Sequence, residues 1–417
     1  MVYRISHTTK VIKGNITLPA SKSISNRLLI IKEIGRLKVD LKNISTAKDT
    51  VTFLQCISKI NETTVFDVGH AGTTMRFLTA YFASIEGERI LTGSVRMKQR
   101  PITELVNCLR KSGAEITYLE KEGFPPIKIK GKKLSGGKIE MNGSISSQYI
   151  SALLMIAPNL SEALEIEFEG ELVSKPYIDM TMQLMNYFGA EVCWKGNSIY
   201  CNNKPYSSEE KSFTVEADWS SASYLYAIAA LAKEAELKIH GLQKKSLQAD
   251  SMCVVLFDKF GIKSDFTGEC LLLTKTNNVI TPQKNNFTNC PDIAQTIAVV
   301  MAGKGISGKL NGLKTLRIKE TDRISALHNE LQKLGIPTEV GKETVEIDAL
   351  FDPRTSNEAI NTYHDHRMAL AFAPLALVLD HIDIDDPMVI EKSYPEYWEH
   401  LKQLGFSIEE VSVSSEF

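Results

Sequence analysis

"DWSSASYLYAIAALA", Asp218 to Ala232, opens on polar residues and runs straight into small and apolar ones. An aspartate or serine at such an opening accepts hydrogen bonds from the unpaired N–H groups of a first helical turn, and the alanine-rich run behind it reads as a helix buried on nearly all sides. The same layout recurs in "SKSISNRLLII" from Ser21, "HAGTTMRFLTAYFA" from His70 and "SISSQYISALLMIA" from Ser144. It recurs again in "CPDIAQTIAVVMA" from Cys290 and "YHDHRMALAFAPLALVL" from Tyr363. The starts lie 49, 74, 74, 72 and 73 residues apart. A period this regular means repeated supersecondary units.

Amphipathic helices alternate with these segments and mostly end at a glycine before a strand, as in "ITELVNCLRKSGAEI" and "ALHNELQKLGIPTEV". The glycines Gly113, Gly189, Gly261, Gly335 and Gly405 are spaced by 76, 72, 74 and 70 residues. Glycine just past a helix is the usual left-handed stop. The first unit carries a shorter version, "TVTFLQCISKI". Short β-rich stretches ("RILTGSV", "PIKIKG", "LKIHGL", "TVEIDAL") make each unit a mixed α/β piece. Six units divide naturally into two domains of three. The expected split gives residues 14–217 to the first domain and 1–13 plus 218–417 to the second. The N-terminal segment, which has no helix of its own, would then complete the last unit's sheet.

The 417 residues carry a formal net charge of −2, with 43% hydrophobic and 24% charged residues. A general nucleic-acid binder would show a basic stripe instead. The longest apolar run, Met368 to Leu379, has 12 residues, short of the roughly 18 that a membrane helix needs. Seven cysteines without a C-x-x-C pair argue against a disulfide framework or a zinc ribbon. With no apolar stretch in the opening "MVYRISHTTKVIKG", a cytoplasmic protein is expected.

Two motifs lack their context. "GKGISG", Gly303 to Gly308, fits a nucleotide-loop pattern literally, but a helix precedes it and a strand-like stretch follows, the reverse of what such a loop requires. It reads as a helix–strand turn. "YHDHRM" offers His364, Asp365 and His366 without further ligands at recognisable spacing, so no metal is expected.

The charges at the helix starts form a pattern. Lys22, Arg27, Arg76 and Arg367 stand in first turns, where a helix favours acidic residues. Arg96 and Arg100 sit in "SVRMKQRPI", Lys319, Glu320, Asp322 and Arg323 in "RIKETDRI", and Lys392 in "EKSYPEY". Any one of these cations, taken alone, is an ordinary solvated charge. Collected at helix N-termini in a nearly neutral chain, they instead describe a site for small anions. Asp292, Glu320 and Asp322 accompany them; Asp292 by itself would read as a helix cap. Carboxylates in a cationic pocket fit acid–base chemistry on a phosphorylated or carboxylated substrate.

In order along the chain, "SKSISNR", "HAGTTMRF", "RMKQRPI", "SISSQY", "LVSKPYIDMT", "PDIAQTIA", "RIKETDR", "DHRMA" and "EKSYPEYW" resemble 5-enolpyruvylshikimate-3-phosphate synthases. The resemblance spans residues 21 to 398. It implies a two-domain inside-out α/β barrel of six βαβαββ repeats, three per domain, with the active site in the cleft between them. The implied reaction transfers the enolpyruvyl group of phosphoenolpyruvate to the 5-hydroxyl of shikimate 3-phosphate and releases phosphate, on the route to chorismate and aromatic amino acids. It needs no cofactor and no metal, and a monomer is the family habit.

The family's roles fall on matching positions. Lys22, Ser23, Arg27, Ser146, Ser147, Gln148, Ser174, Tyr177, Asp292 and Lys319 would bind shikimate 3-phosphate. Lys22, Gly72, Arg96, Gln148, Arg323, Arg367 and Lys392 would bind phosphoenolpyruvate. Asp292 would take the hydroxyl proton, while Glu320 with Lys22 would manage the proton at the methylene carbon. His70, Phe77, Thr315 and His364 depart from residues common in the family. The related enolpyruvyl transferase acting on UDP-N-acetylglucosamine has the same fold, but its usual mark is a cysteine on a mobile Gly/Arg-rich loop. Cys56 and Cys108 lie instead in helical patterns. An inactive binding protein of this fold would be expected to lose Asp292, Glu320 or the arginines, and all are present.

Overall fold

The computed structural model describes residues 1–268, 270–277, 283–348, 354–356 and 358–411. The chain divides into two compact units, Ser21–Val215 and Met1–Ala20 with Glu216–Phe417.

The unit Ser21–Val215 holds helices α1 (Lys22–Gly35), α2 (Lys48–Ser58), α3 (Gly72–Ser84), α4 (Thr103–Lys111), α5 (Ser147–Ile156) and α6 (Lys175–Tyr187). One sheet runs Val65–Asp67, Gly87–Thr92, Ile127–Gly131, Glu115–Tyr118 in space. Its first two strands are parallel, with Phe66 opposite Leu91, and the remaining pairs are antiparallel. A parallel pair needs a crossover, here α3, whereas the last two strands form a hairpin after α4. The result is a βαβαββ unit. Gly137–Asn142, Leu164–Glu169, Ser198–Cys201 and Val192–Lys195 repeat the arrangement around α5 and α6. The first unit is truncated: Asp40–Lys42 pairs in parallel with Ser212–Thr214, and no closing hairpin follows α2. That missing hairpin accounts for the single short spacing of 49 residues.

The other unit holds α7 (Trp219–Leu231), α8 (Cys253–Asp258), α9 (Ala294–Gly303), α10 (Arg323–Lys333), α11 (His366–Phe372) and α12 (Tyr397–Gln403). Around α7 and α8 the strand order is Val11–Thr17, Glu234–His240, Cys270–Lys275, Ile262–Thr267. Around α9 and α10 it is Gln283–Asn286, Gly308–Asn311, Val345–Ile347, Thr338–Val340. "TVEIDAL" supplies the third of these strands; its Ala349 and Leu350 lie outside the described residues. The last sheet places Val2–Ser6 between Ile382–Asp385 and Ser407–Val411, and Ile360 makes a parallel bridge to Ile384.

The unit boundary falls at Ala20/Ser21 instead of the Gly14 expected from the sequence. The cause is the strand Val11–Thr17, which ladders in parallel with Glu234–His240 along its whole length. Both N-terminal strands therefore belong with the C-terminal half.

The small-residue helices are the buried ones. Every residue of α7 except Ser220 is buried, and α5 and α9 are likewise enclosed. The alternate helices bury one stripe, as α4 does with Leu105, Val106, Cys108 and Leu109. The five glycines behind them all take positive φ, from 77° to 94°, a conformation open to glycine at little steric cost. "GKGISG" is the turn between α9 and the strand Gly308–Asn311, wrong in order for a nucleotide loop. Among the described residues, no helix is long and apolar enough to cross a membrane.

Candidate active site

In the unit Ser21–Val215, helices α1, α3, α5 and α6 pack together and bring their first turns into one neighbourhood. Ser21 caps α1, its hydroxyl accepting from the Ile24 amide at 3.4 Å. Lys22 follows and pairs with Asp49 of α2 at 3.2 Å. Arg27, one turn on, is 3% exposed. It donates to Thr181 Oγ1 (2.7 Å), Ser151 Oγ (3.3 Å) and the carbonyls of Ser23 (2.9 Å) and Tyr177 (3.4 Å). Its guanidinium also lies 5.5 Å from the centre of the Phe77 ring. All these partners are neutral. Burial without an anion lowers the Arg27 pKa to about 10, the direction desolvation of a cation dictates.

Ser146 caps α5 by accepting from the Gln148 amide at 3.3 Å, and Ser147 begins the helix. Gln148 donates to Thr73 Oγ1 at 3.1 Å, tying α5 to the start of α3 beside Gly72. Ser174 precedes α6 with φ 56°, a left-handed position. Arg96 heads the short 3-10 turn Met97–Gln99. Gly72 makes room for two arginine tips: a Cβ there would stand 2.5 Å from Arg76 Nη1 and 2.6 Å from Arg100 Nη1. Two guanidiniums thus occupy the space that a side chain at this position would take.

The second unit gathers the remaining residues. Arg323 opens α10 and is 2% exposed. It donates to Asp365 (Nε to Oδ2, 2.7 Å), Glu320 (Nη2 to Oε2, 2.9 Å) and Asp292 (Nη1 to Oδ1, 3.2 Å). Arg367, in the first turn of α11, reaches Asp292 Oδ2 at 3.0 Å and the Asp292 carbonyl at 2.9 Å. Lys319 stands 3.6 Å from Asp292, and Lys392 donates to Glu320 Oε1 at 2.7 Å. Burial alone would raise the Asp292 pKa, but Arg367, Lys319 and Arg323 outweigh it and hold this carboxylate well below the usual range. Burial lowers Lys319, with Asp292 opposing. For Arg323 burial pulls down, but Asp365 and Glu320 prevail and raise it.

The sequence reading groups Asp292 and Asp322 alike with the cations, and the structure gives the two different local partners. Asp292 is not a cap: it lies in the 3-10 turn Pro291–Ile293 before α9, and its oxygens face cations. Asp322 is the cap, accepting from the Ile324 and Ser325 amides at 3.1 and 3.2 Å and pairing with Arg317. Asp365, considered in the sequence only as a metal ligand, is completely buried; it caps α11 and holds Arg323. Its position directly before a helix-opening His-Arg pair was the available signal. Asp49, the partner of Lys22, had none.

The model of the family described as EPSP synthase (3-phosphoshikimate 1-carboxyvinyltransferase) matches residues 58–401. The chain is 45% identical over 410 residues to the 3-phosphoshikimate 1-carboxyvinyltransferase of Bacteroides fragilis (strain YCH46), covering 98% of this chain and 99% of that protein. The chain belongs to the EPSP synthase family. Identity to the Vibrio campbellii (strain ATCC BAA-1116) enzyme of the same name is 36%, covering 94% of this chain and 97% of that protein. A solved EPSP synthase from Acinetobacter baumannii shares the fold, with a TM-score of 0.77 at 19% identity, covering 98% of this chain and 100% of that chain.

The departures from common EPSP synthase residues are now located. Phe77 faces Arg27, and His70 Nδ1 lies 3.0 Å from Ser94 Oγ. His364 is exposed and pairs with Asp386 at 2.9 Å. The Thr315 hydroxyl is buried and has no hydrogen-bond partner among the described residues. Cys56 and Cys108 sit in α2 and α4, and burial pushes both thiols up to about 11. Neither matches the mobile-loop cysteine expected of the UDP-N-acetylglucosamine enzyme.

Proposed function

We propose that this protein transfers the enolpyruvyl group of phosphoenolpyruvate to the 5-hydroxyl of shikimate 3-phosphate, with release of phosphate. The observation that carries this reading is Arg323, a buried guanidinium that joins Asp292, Glu320 and Asp365 in a family whose named members are carboxyvinyltransferases. Such a cluster offers two carboxylates for proton transfer and several cations for anionic substrates. Arg27, enclosed by neutral partners, supports a second anion site for shikimate 3-phosphate, completed by Ser23, Ser146, Ser147, Gln148, Ser174, Tyr177 and Lys319. Gly72, Arg96, Arg323, Arg367 and Lys392 would take the phosphate and carboxylate of phosphoenolpyruvate. Both sets of residues would act on one substrate pair.

The chemistry follows from these groups. Phosphoenolpyruvate accepts a proton at its methylene carbon from the Glu320–Lys22 pair and becomes cation-like at C2. The 5-hydroxyl attacks C2 and gives its proton to Asp292, which the surrounding cations orient. The tetrahedral adduct then loses the methyl proton to Glu320, assisted by Lys22, as the C–O bond to phosphate breaks. Glu320 is held by Arg323 and Lys392 before substrate arrives. Each cation that turns toward a substrate anion frees an oxygen of Glu320 and raises its basicity as the site fills. Preorganised cations and excluded water stabilise the charge that develops. The test is phosphate release when the purified protein meets both substrates. Release only with the pair supports the reading, and none with the pair overturns it.

A further inference from the structure

Beside the α11 arginine lies a carboxyl that the reaction above does not use. Asp250, in the 3-10 turn Ala249–Met252, is 3% exposed and accepts a hydrogen bond from the Ser220 hydroxyl. Ser220 is the second residue of α7, and its oxygen accepts from Arg367 Nη2 at 3.4 Å. The same nitrogen reaches Asp292 Oδ2 at 3.0 Å, while Arg367 Nη1 donates to Tyr224 OH at 3.2 Å. A continuous polar chain thus runs from Asp250 through Ser220 and Arg367 to Asp292.

A serine hydroxyl has one proton and accepts through its lone pairs. Ser220 can present a lone pair to Arg367 only while its proton points elsewhere, and an ionised Asp250 takes that proton. A protonated Asp250 is a weaker acceptor that can itself donate to Ser220, so it no longer holds the hydroxyl proton away from the guanidinium as a carboxylate does. We propose that Asp250 is a positioning residue: through Ser220 it fixes Arg367 in the orientation that serves phosphoenolpyruvate and Asp292. This rests on the role assigned to Arg367 above.

The groups facing Asp250 include Asp218 at the cap of α7, Asp292 before α9, Arg367 of α11, Cys253 at the start of α8 and Cys290. Burial raises Asp250 to about 6; Asp292 and Asp218 push the same way, and Arg367 and Ser220 oppose. Burial holds Cys290 at about 12 and Cys253 well above its ordinary value, so both thiols stay neutral in the range where Asp250 titrates. Ionised Asp250 therefore holds the chain in the direction that serves Arg367, and its protonation weakens that hold.

The experiment measures kcat and KM for each substrate by phosphate release between pH 5 and 8 in wild type, Asp250→Asn and Ser220→Ala. At pH 7.5 both variants should raise KM for phosphoenolpyruvate about tenfold, the size of one hydrogen bond to a charged group, with smaller changes in kcat and in KM for shikimate 3-phosphate. Wild type should also show a KM for phosphoenolpyruvate that climbs below pH 6, and both variants should lose that climb. Ser220→Ala removes only a hydroxyl, so it keeps the test decisive if Asp250→Asn fails to fold. Normal wild-type turnover with unchanged KM and pH profile in the variants overturns the relay alone. Absence of wild-type turnover overturns the assigned reaction and this role with it.

Discussion

Arg323 and Asp365 are joined at 2.7 Å by an ion pair closed almost completely to solvent, with side-chain exposures of 2% and 0%. The pair ties the start of α10 to the start of α11, and so fixes the arginine that contacts Asp292 and Glu320. Removing one partner of such a pair leaves an uncompensated buried charge. Asp365 also caps α11 by accepting from the Arg367 amide at 3.0 Å. Asp365→Ala should therefore destabilise the protein by about 3–5 kcal/mol, measured by urea unfolding. A loss below about 1 kcal/mol would show that the cluster does not depend on this pair.

Glu320 sits between two cations, Lys392 at 2.7 Å and Arg323 at 2.9 Å. Glu320→Gln keeps the size of the side chain and one acceptor oxygen but cannot shuttle a proton. Substrate binding, followed calorimetrically, should survive, while kcat falls about 10²- to 10⁴-fold. A near-normal rate would remove Glu320 from the proton-transfer role.

Arg27 has hydroxyl and carbonyl partners within the protein, so the negative charge it lacks should come from substrate. Arg27→Ala should raise KM for shikimate 3-phosphate about a hundredfold, equivalent to about 3 kcal/mol. Added salt should also raise KM for both anionic substrates in wild type. Indifference to ionic strength would count against cationic recognition.

Gly72 leaves room for the tips of Arg76 and Arg100. Gly72→Ala places a methyl within 2.6 Å of both guanidiniums and must displace them. Because Gly72 is helical with no positive φ, the backbone tolerates alanine. The expected outcome is a stable protein with a KM for phosphoenolpyruvate raised about tenfold, a shift of about 1.4 kcal/mol. A thermal melt taken beside the kinetics separates this from unfolding.

Asp292 and Asp250 affect stability with opposite signs. The cations hold Asp292 below its ordinary pKa, so its contribution is present above the ordinary aspartate range and is lost as pH falls through and below it. Asp250 is raised from 3.8 to about 6, so the folded state binds the extra proton and loses stability as pH climbs through that interval. Relative to wild type, Asp250→Asn should gain thermal stability between about pH 4 and 6.5. Parallel curves would show that Asp250 does not titrate in this window.

The repeat was legible in the chain because each unit must bury one small-residue helix, and that need writes the same polar-then-apolar pattern about every 73 residues. Glycines mark the helix ends because the left-handed stop excludes most other residues. Cations in the first turns of helices marked the anion chemistry, since helix ends discriminate by charge sign.

Tertiary structure alone decided the rest. Strand pairing is non-local, so only the ladder between Val11–Thr17 and Glu234–His240 could move the boundary to Ala20. Likewise, whether an aspartate before a helix caps an amide or faces an arginine depends on what the fold carries to it. Asp322 meets its own amides, while Asp292 meets Arg323 and Arg367 from two other helices. The sequence determined which residue types the site contains, because that follows from local chemistry. Which carboxylate holds which cation was decided by packing, because those partners lie up to 75 residues apart in the chain.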